Sequence, residues 1–202
     1  MKILTLSGWG QPHDALSGIL PDAVHFDYTG YPTIDDALKE IAGKAQGYDA
    51  IAGWSLGGQL AARAIANGLM KTAKLVLIAV PFQFVQTSNS KTGMPRDKFD
   101  KFRDNYKHNP ARTLAKAWEL IAINDTNADI VRICMAKNSQ QDMLAKDWLR
   151  WLDMLDGFSF ENIDMGLMPP TLLIHGTQDA VVDFEQSHEF TKAIPQARHI
   201  AI

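Results

Sequence analysis

Between a short apolar run and an alanine-rich stretch the chain reads Gly53-Trp54-Ser55-Leu56-Gly57-Gly58. No other segment restricts the fold as much. Asp49–Ala52 reads as a strand and Gly57–Asn67 as a helix, so these residues form a strand-to-helix turn with a serine at its apex. So sharp a turn needs small residues two positions before and after the serine, and both are glycine here. The turn lifts the Ser55 hydroxyl above a sheet edge and sets it at a helix N-terminus. There the backbone N–H of Leu56 can face a developing oxyanion.

A sheet to carry that turn is legible on either side of it. Lys2–Leu6, Val24–Tyr28, Asp49–Ala52 and Lys74–Val80 read as strands, and the last is apolar on both faces, as a buried parallel strand requires. Helical patterns alternate with them: one from about His13, with Leu16, Ile19 and Leu20 on a face, and one capped by Thr33 with Asp36 three residues on. Strand–helix alternation at this spacing means an α/β fold with a mostly parallel sheet. Thr171–Ile174 and Ala197–Ile202 read as two further strands.

From Pro81 to about Gly166 the pattern is helical only. Arg96–His108 carries Phe99, Phe102 and Tyr106 on one face, and Pro110 opens Ala111–Ile123. Ala128–Lys137 follows, and Ser139–Asp156 spaces Leu144, Trp148, Trp151, Leu152 and Leu155 as a packing stripe. The organisation expected is therefore a core over residues 1–81, a helical lid over 82–165 and the second part of the core over 166–202. Cys134, the only cysteine, reads as a small core residue beside Ile130, Ile133 and Met135, and it excludes a disulfide framework.

Composition narrows the function. At 46% hydrophobic and 21% charged the chain suits neither disorder nor a fibre. Twenty Lys and Arg against twenty-three Asp and Glu argue against a protein built to grip nucleic acid. Met1-Lys2 leads into too short an apolar run for an export signal, and the longest run, Leu75–Phe82, is far below the roughly 20 residues of a membrane helix. A cytoplasmic protein with no membrane partner is expected.

Two more segments suit the serine. Ser7-Gly8-Trp9-Gly10 follows the first strand, where glycines let the backbone approach a site, and the N–H of Trp9 is the candidate second oxyanion donor. After a late strand, His175-Gly-Thr-Gln-Asp179 places Asp179 at a carboxyl end, in the order serine then acid. Asp183, four residues on, reads instead as a helix cap. The base is harder to find. Of His13, His25, His108, His175, His188 and His199, only His199 lies near the right place, and inside a strand it would aim away from Ser55. The expectation is a base just beyond Ile202.

With Gly8–Gly10, Gly53–Gly58 and His175–Asp179 in that order, the chain resembles the α/β-hydrolases. Within them it is similar to the BioH-like pimeloyl-[acyl-carrier protein] methyl ester esterases of biotin synthesis. Ser7 stands where that family has histidine, and its Gly-His segment after the last strand is absent from these residues. The resemblance implies a serine esterase: Ser55 as nucleophile, Asp179 as the acid orienting a histidine, Trp9 and Leu56 holding the oxyanion and substrate, and no cofactor or metal. It also casts the helical insertion as a lid. Lys91–Lys116 carries eight basic residues against three acids, and Arg96, Arg103 and Lys107 share a helix face that could steer an acidic acyl carrier protein.

Two other readings compete. A dinucleotide fingerprint is imitated by Gly8-x-Gly10 and Asp27, but His13 occupies the third glycine position and Gly53–Gly58 is left without a role. A non-catalytic binding module of the same fold is the stronger rival, because no histidine follows the last strand.

Overall fold

The computed structural model describes residues 1–88, 91–137 and 147–202. Six strands, β1 (Ile3–Leu6), β2 (Val24–His25), β3 (Ala50–Trp54), β4 (Lys74–Ile78), β5 (Thr171–His175) and β6 (Ala197–Ala201), pair in parallel in the order β2–β1–β3–β4–β5–β6. The chain steps from β1 outward to β2, then returns past β1 to β3. The loops after β1 and β3 therefore part in opposite directions and open a crevice at the carboxyl ends, where α/β sheets bind ligands. Leu6 lies opposite Gly53 in the ladder, so the loop after β1 and the serine turn start side by side.

Helix α1 (Ile34–Lys44) and helix α2 (Leu56–Ala66) connect the first strands. Thr33 caps α1: its hydroxyl accepts from the Asp36 N–H at 3.1 Å and donates to the Asp36 carboxylate at 2.6 Å. Ala37, Leu38 and Ile41 form the buried face of α1. Helix α2 is buried along almost its whole length, which its small alanines and glycines allow in a packed layer.

Between β4 and β5 come α3 (Arg96–His108), α4 (Pro110–Ala122), α5 (Ala128–Lys137) and α6 (Trp148–Asp156), and α7 (Glu185–Ala193) leads into β6. The expected stripe is present, with Trp148, Trp151, Leu152 and Leu155 all buried. Asp147 caps α6 by accepting from the Arg150 N–H at 3.2 Å. The first part of that stretch, with Leu144, lies outside the described residues, as does the side chain of Cys134. Its expected neighbours Ile130 and Ile133 are exposed, so that face of α5 is not core.

Three other expectations need correction. The segment from His13 is a series of turns rather than a helix, with Leu16 buried and Ile19 exposed. Gly18 and Pro21 leave too few residues to offset helix nucleation. The second strand stops at His25 instead of Tyr28, because Asp27 takes hydrogen bonds from the Thr29 N–H and hydroxyl and turns the chain. The insertion is not wholly helical: isolated bridges join Gln83 to Ser159 and Val85 to Met94 at its neck.

The insertion is fastened to the crevice by indoles. Trp118 Nε1 donates to the Gly10 carbonyl at 2.9 Å, and Trp9 Nε1 donates to the Trp148 carbonyl at 2.7 Å. Trp9 also meets Phe102, Tyr106 and Trp148 edge-on at 5.4–5.9 Å. Among the described residues no helix is long and apolar enough to cross a membrane.

Candidate active site

Ser55 sits at φ 51°, ψ −121°, a conformation side-chain-bearing residues rarely adopt. Its N–H donates to the Ile78 carbonyl at 2.9 Å, tying the apex of the turn to β4. The glycine requirement is steric and severe. A Cβ on Gly53 would stand 2.3 Å from Gly58 Cα, one on Gly57 2.4 Å from the Leu6 carbonyl oxygen, and one on Gly58 2.3 Å from Val80 Cγ2. Strand, turn and helix touch backbone to backbone here, and the serine is strained because nothing around it can give way.

The loop after β1 faces this apex. A Cβ on Gly8 would lie 3.3 Å from Ser55 Cβ, so any side chain there would need Ser55 to give way by a few tenths of an ångström. Tyr28, fully buried, donates its hydroxyl to the Ser7 carbonyl at 2.7 Å and anchors the loop where Ser7 stands. Burial raises the Tyr28 pKa well above its ordinary value, so the phenol remains a neutral donor. Gly10 takes φ +67°, and a Cβ there would strike Leu114 at 2.8 Å. Among the described residues neither the Trp9 nor the Leu56 N–H donates to another backbone carbonyl. Both belong to residues bordering the Ser55 apex.

Asp179 reaches the same cleft from the loop after β5. Its Oδ1 accepts from the Val181 and Val182 N–H groups at 2.8 and 3.0 Å. Oδ2 is 3.4 Å from His175 Nε2, but that nitrogen donates to the Val182 carbonyl at 2.9 Å, so His175 is a buried brace of the loop. Asp183 accepts from the Glu185 N–H at 3.0 Å, but it stands one residue before Phe184, the N-cap of α7, so it is a turn residue at the helix entry and not the cap expected.

The cleft has a volume of about 120 Å³ and is walled mainly by Trp9, Phe84, Phe102, Leu120, Leu152 and Val181, with Ser55 and Asp179 both on its surface. No histidine lines it among the described residues. His199 pairs with Leu173 across the sheet and stacks on Phe184 at 5.2 Å, with His188 edge-on at 5.5 Å. Burial and these histidines lower its pKa below 6.5. A second groove, bordered by Asn124, Thr126, Thr177, Gln178 and Ile202, opens on the other side of Asp179. Among the described residues no three His, Cys, Asp or Glu converge as a metal site would need.

Two cleft residues escaped the sequence reading. Ala79, at φ 46°, is a second strained non-glycine on the wall, and nothing in an alanine after an apolar strand announces it. Gln11 is 2% exposed and lines the cleft beside Gly8. Its only sequence signal was a polar side chain closing a Gly-rich loop. The three α3 cations prove to be engaged: Arg96 with Asp156 at 2.6 Å, Arg103 with Asp153 at 2.5 Å, and Lys107 with Asp104 at 3.5 Å.

Comparison with known proteins fits this geometry. Residues 3–202 match the Alpha/beta hydrolase family. The chain is 24% identical over 212 aligned positions to the biotin biosynthesis bifunctional protein BioHC of Teredinibacter turnerae, covering 89% of this chain but only 36% of that protein. It is 24% identical over 168 positions to the pimeloyl-[acyl-carrier protein] methyl ester esterase of Nitrosomonas europaea, covering 82% of this chain and 67% of the relative. The chain thus spans about a third of the first relative and two thirds of the second. An esterase from Exiguobacterium antarcticum superposes with a TM-score of 0.84 at 18% identity, over 100% of this chain and 82% of the other. At that identity the likeness speaks for the fold alone. With the sheet order, the serine turn and a match over nearly its whole length in agreement, the chain belongs to the alpha/beta hydrolase family.

Proposed function

We propose that this protein is a serine carboxylesterase acting on an ester with an apolar acyl chain. The observation that carries the reading is the meeting of Ser55, held strained over the sheet, with Asp179 on one apolar cleft. Ser55 Oγ attacks the ester carbonyl, the N–H groups of Trp9 and Leu56 hold the oxyanion, the alcohol leaves, and water cleaves the acyl-enzyme. An imidazole has to take the serine proton and return it to the leaving alcohol. That imidazole, which none of the described residues brings to the cleft, would sit in the groove beside Asp179, whose carboxylate would orient it.

Residues 82–165 act in this reading as the lid over the cleft, in a cytoplasmic enzyme. The finer proposal is that the ester is a pimeloyl-carrier-protein methyl ester or a near relative, in line with the Nitrosomonas esterase. The acidic carrier would approach Arg96, Arg103 and Lys107 on α3, the helix that also gives Phe102 to the cleft. Since each cation already holds a carboxylate, their steering should be modest. Reversing all three to glutamate should slow turnover of a carrier-bound ester at low salt and leave the free methyl ester unaffected. An equal effect on both esters would remove the carrier from the reading.

Treatment of the chain with a fluorophosphonate tests the core proposal. An adduct on Ser55 that forms faster with added imidazole supports it. An inert Ser55 at every imidazole concentration favours instead a binding module, the reading that the histidine-free cleft would then carry.

A further inference from the structure

His175 is a buried polar side chain that the proposed reaction does not use. It ends β5, is 2% exposed and takes no part in the cleft wall. Its main chain is fixed by the sheet, where its carbonyl accepts from the Ile202 N–H at 3.0 Å. The ring therefore stands on a rigid mount.

A carbonyl can only accept, so the Nε2 that meets the Val182 carbonyl at 2.9 Å carries a proton. The same nitrogen is 3.4 Å from Asp179 Oδ2. Oδ1 of that carboxylate accepts from the Val181 and Val182 N–H groups. Val182 is thus held at both ends, its N–H by the acid and its carbonyl by the imidazole. Three N–H groups surround one carboxylate, two on Oδ1 and one beside Oδ2. Loss of the imidazole would release the Val182 carbonyl and Oδ2 together.

Resting on the esterase reading, we propose that His175 is a positioning residue that holds the Asp179 carboxylate in the orientation a base imidazole needs. It acts through the acid and never on the substrate. Asp179 borders both the cleft and the outer groove, so a small rotation of its carboxylate misplaces the imidazole it has to orient.

The test is a double-mutant cycle read by fluorophosphonate labelling of Ser55 with and without free imidazole. His175→Leu removes the N–H but keeps the bulk, and a void of about 10 Å³ beside the ring, walled by Leu77, Val80 and Leu173, gives it room. His175→Gln returns an N–H at similar reach. The expected result is about a tenfold loss of imidazole acceleration in His175→Leu, with most of it recovered in His175→Gln. Labelling without imidazole should stay within about twofold of the parent rate. In the Asp179→Asn background His175→Leu should cost nothing more, because no acid is left to position. A purely structural role would slow labelling without imidazole as well, and its cost would persist in Asp179→Asn. Either result overturns the inference, as does unchanged acceleration in His175→Leu or a His175→Gln variant as slow as His175→Leu.

Native-state hydrogen exchange gives a readout independent of Ser55. The Val181 and Val182 amides should exchange about tenfold faster in His175→Leu, while the amides of β5 keep the parent rate. Unchanged exchange at both valines also overturns the inference. If the parent Ser55 proves inert at every imidazole concentration, the esterase reading fails, and the exchange rates alone decide whether His175 holds Asp179.

Discussion

At the scale of single residues the turn around Ser55 holds two opposite kinds of strain. Serine at φ 51° occupies backbone space that glycine enters freely. Ser55→Gly should therefore stabilise the fold by about 1 kcal/mol, a rise in Tm of roughly 2–4 °C, while abolishing acylation. A lower Tm on thermal melting would mean that the serine side chain is a structural anchor. Gly57→Ala should act the other way, losing about 3 kcal/mol, since its new Cβ meets the backbone of Leu6 and Ser7, the Leu6 carbonyl oxygen at 2.4 Å. Gly43→Ala is the control: it lies in α1 with nothing within 4 Å and should gain roughly 0.5–1 kcal/mol, measurable by urea denaturation. These glycines were legible in the sequence because a sharp turn imposes its own spacing. Gln11 and Ala79 were not, because an unpaired amide and a strained alanine become visible only once the surrounding walls are in place.

At the scale of elements, the links between insertion and sheet are few and directional. Trp118→Phe keeps an aromatic ring but removes the pyrrole N–H, so the hydrogen bond to Gly10 is lost and a small cavity is left beside an unpaired carbonyl. A loss of about 1–2 kcal/mol is expected by chemical denaturation, with the loop of Trp9 loosened. A change under a few tenths would show that the bond only follows the packing. The edge of β6 makes a pH prediction. His199 is held below its ordinary pKa by burial and by His188 and His175, so the unfolded chain binds the extra proton first as pH falls. Its contribution is intact above pH 6.5 and is lost on acidification. His199→Phe, which can keep the stack on Phe184, should therefore lose less Tm than the parent between about pH 7.5 and 5.5. Equal losses would contradict this. Helices with a long apolar period, such as α3, were read from sequence to the residue. The segment after His13 was not, because a three-residue apolar pattern does not distinguish a helix from successive turns.

For the whole molecule, the central fact is that two segments more than a hundred residues apart deliver Ser55 and Asp179 to one cleft. Sequence order suggested the pairing, and the parallel sheet explains it, since both loops leave the carboxyl ends of strands. What the sequence could not convey is that Arg96 and Arg103 of α3 are already paired with Asp156 and Asp153 of α6, since those partners lie fifty or more residues away. The central proposal is that Ser55 in this cleft is an acylable nucleophile oriented for an imidazole base beside Asp179. The most direct test is the rate of fluorophosphonate labelling of the chain with and without free imidazole, with the adduct mapped by peptide mass. The account predicts an adduct on the Gly53–Gly58 peptide, faster with imidazole, absent from Ser55→Ala and much slower to respond to imidazole in Asp179→Asn. No adduct at any imidazole concentration, or one placed elsewhere on the chain, would contradict it.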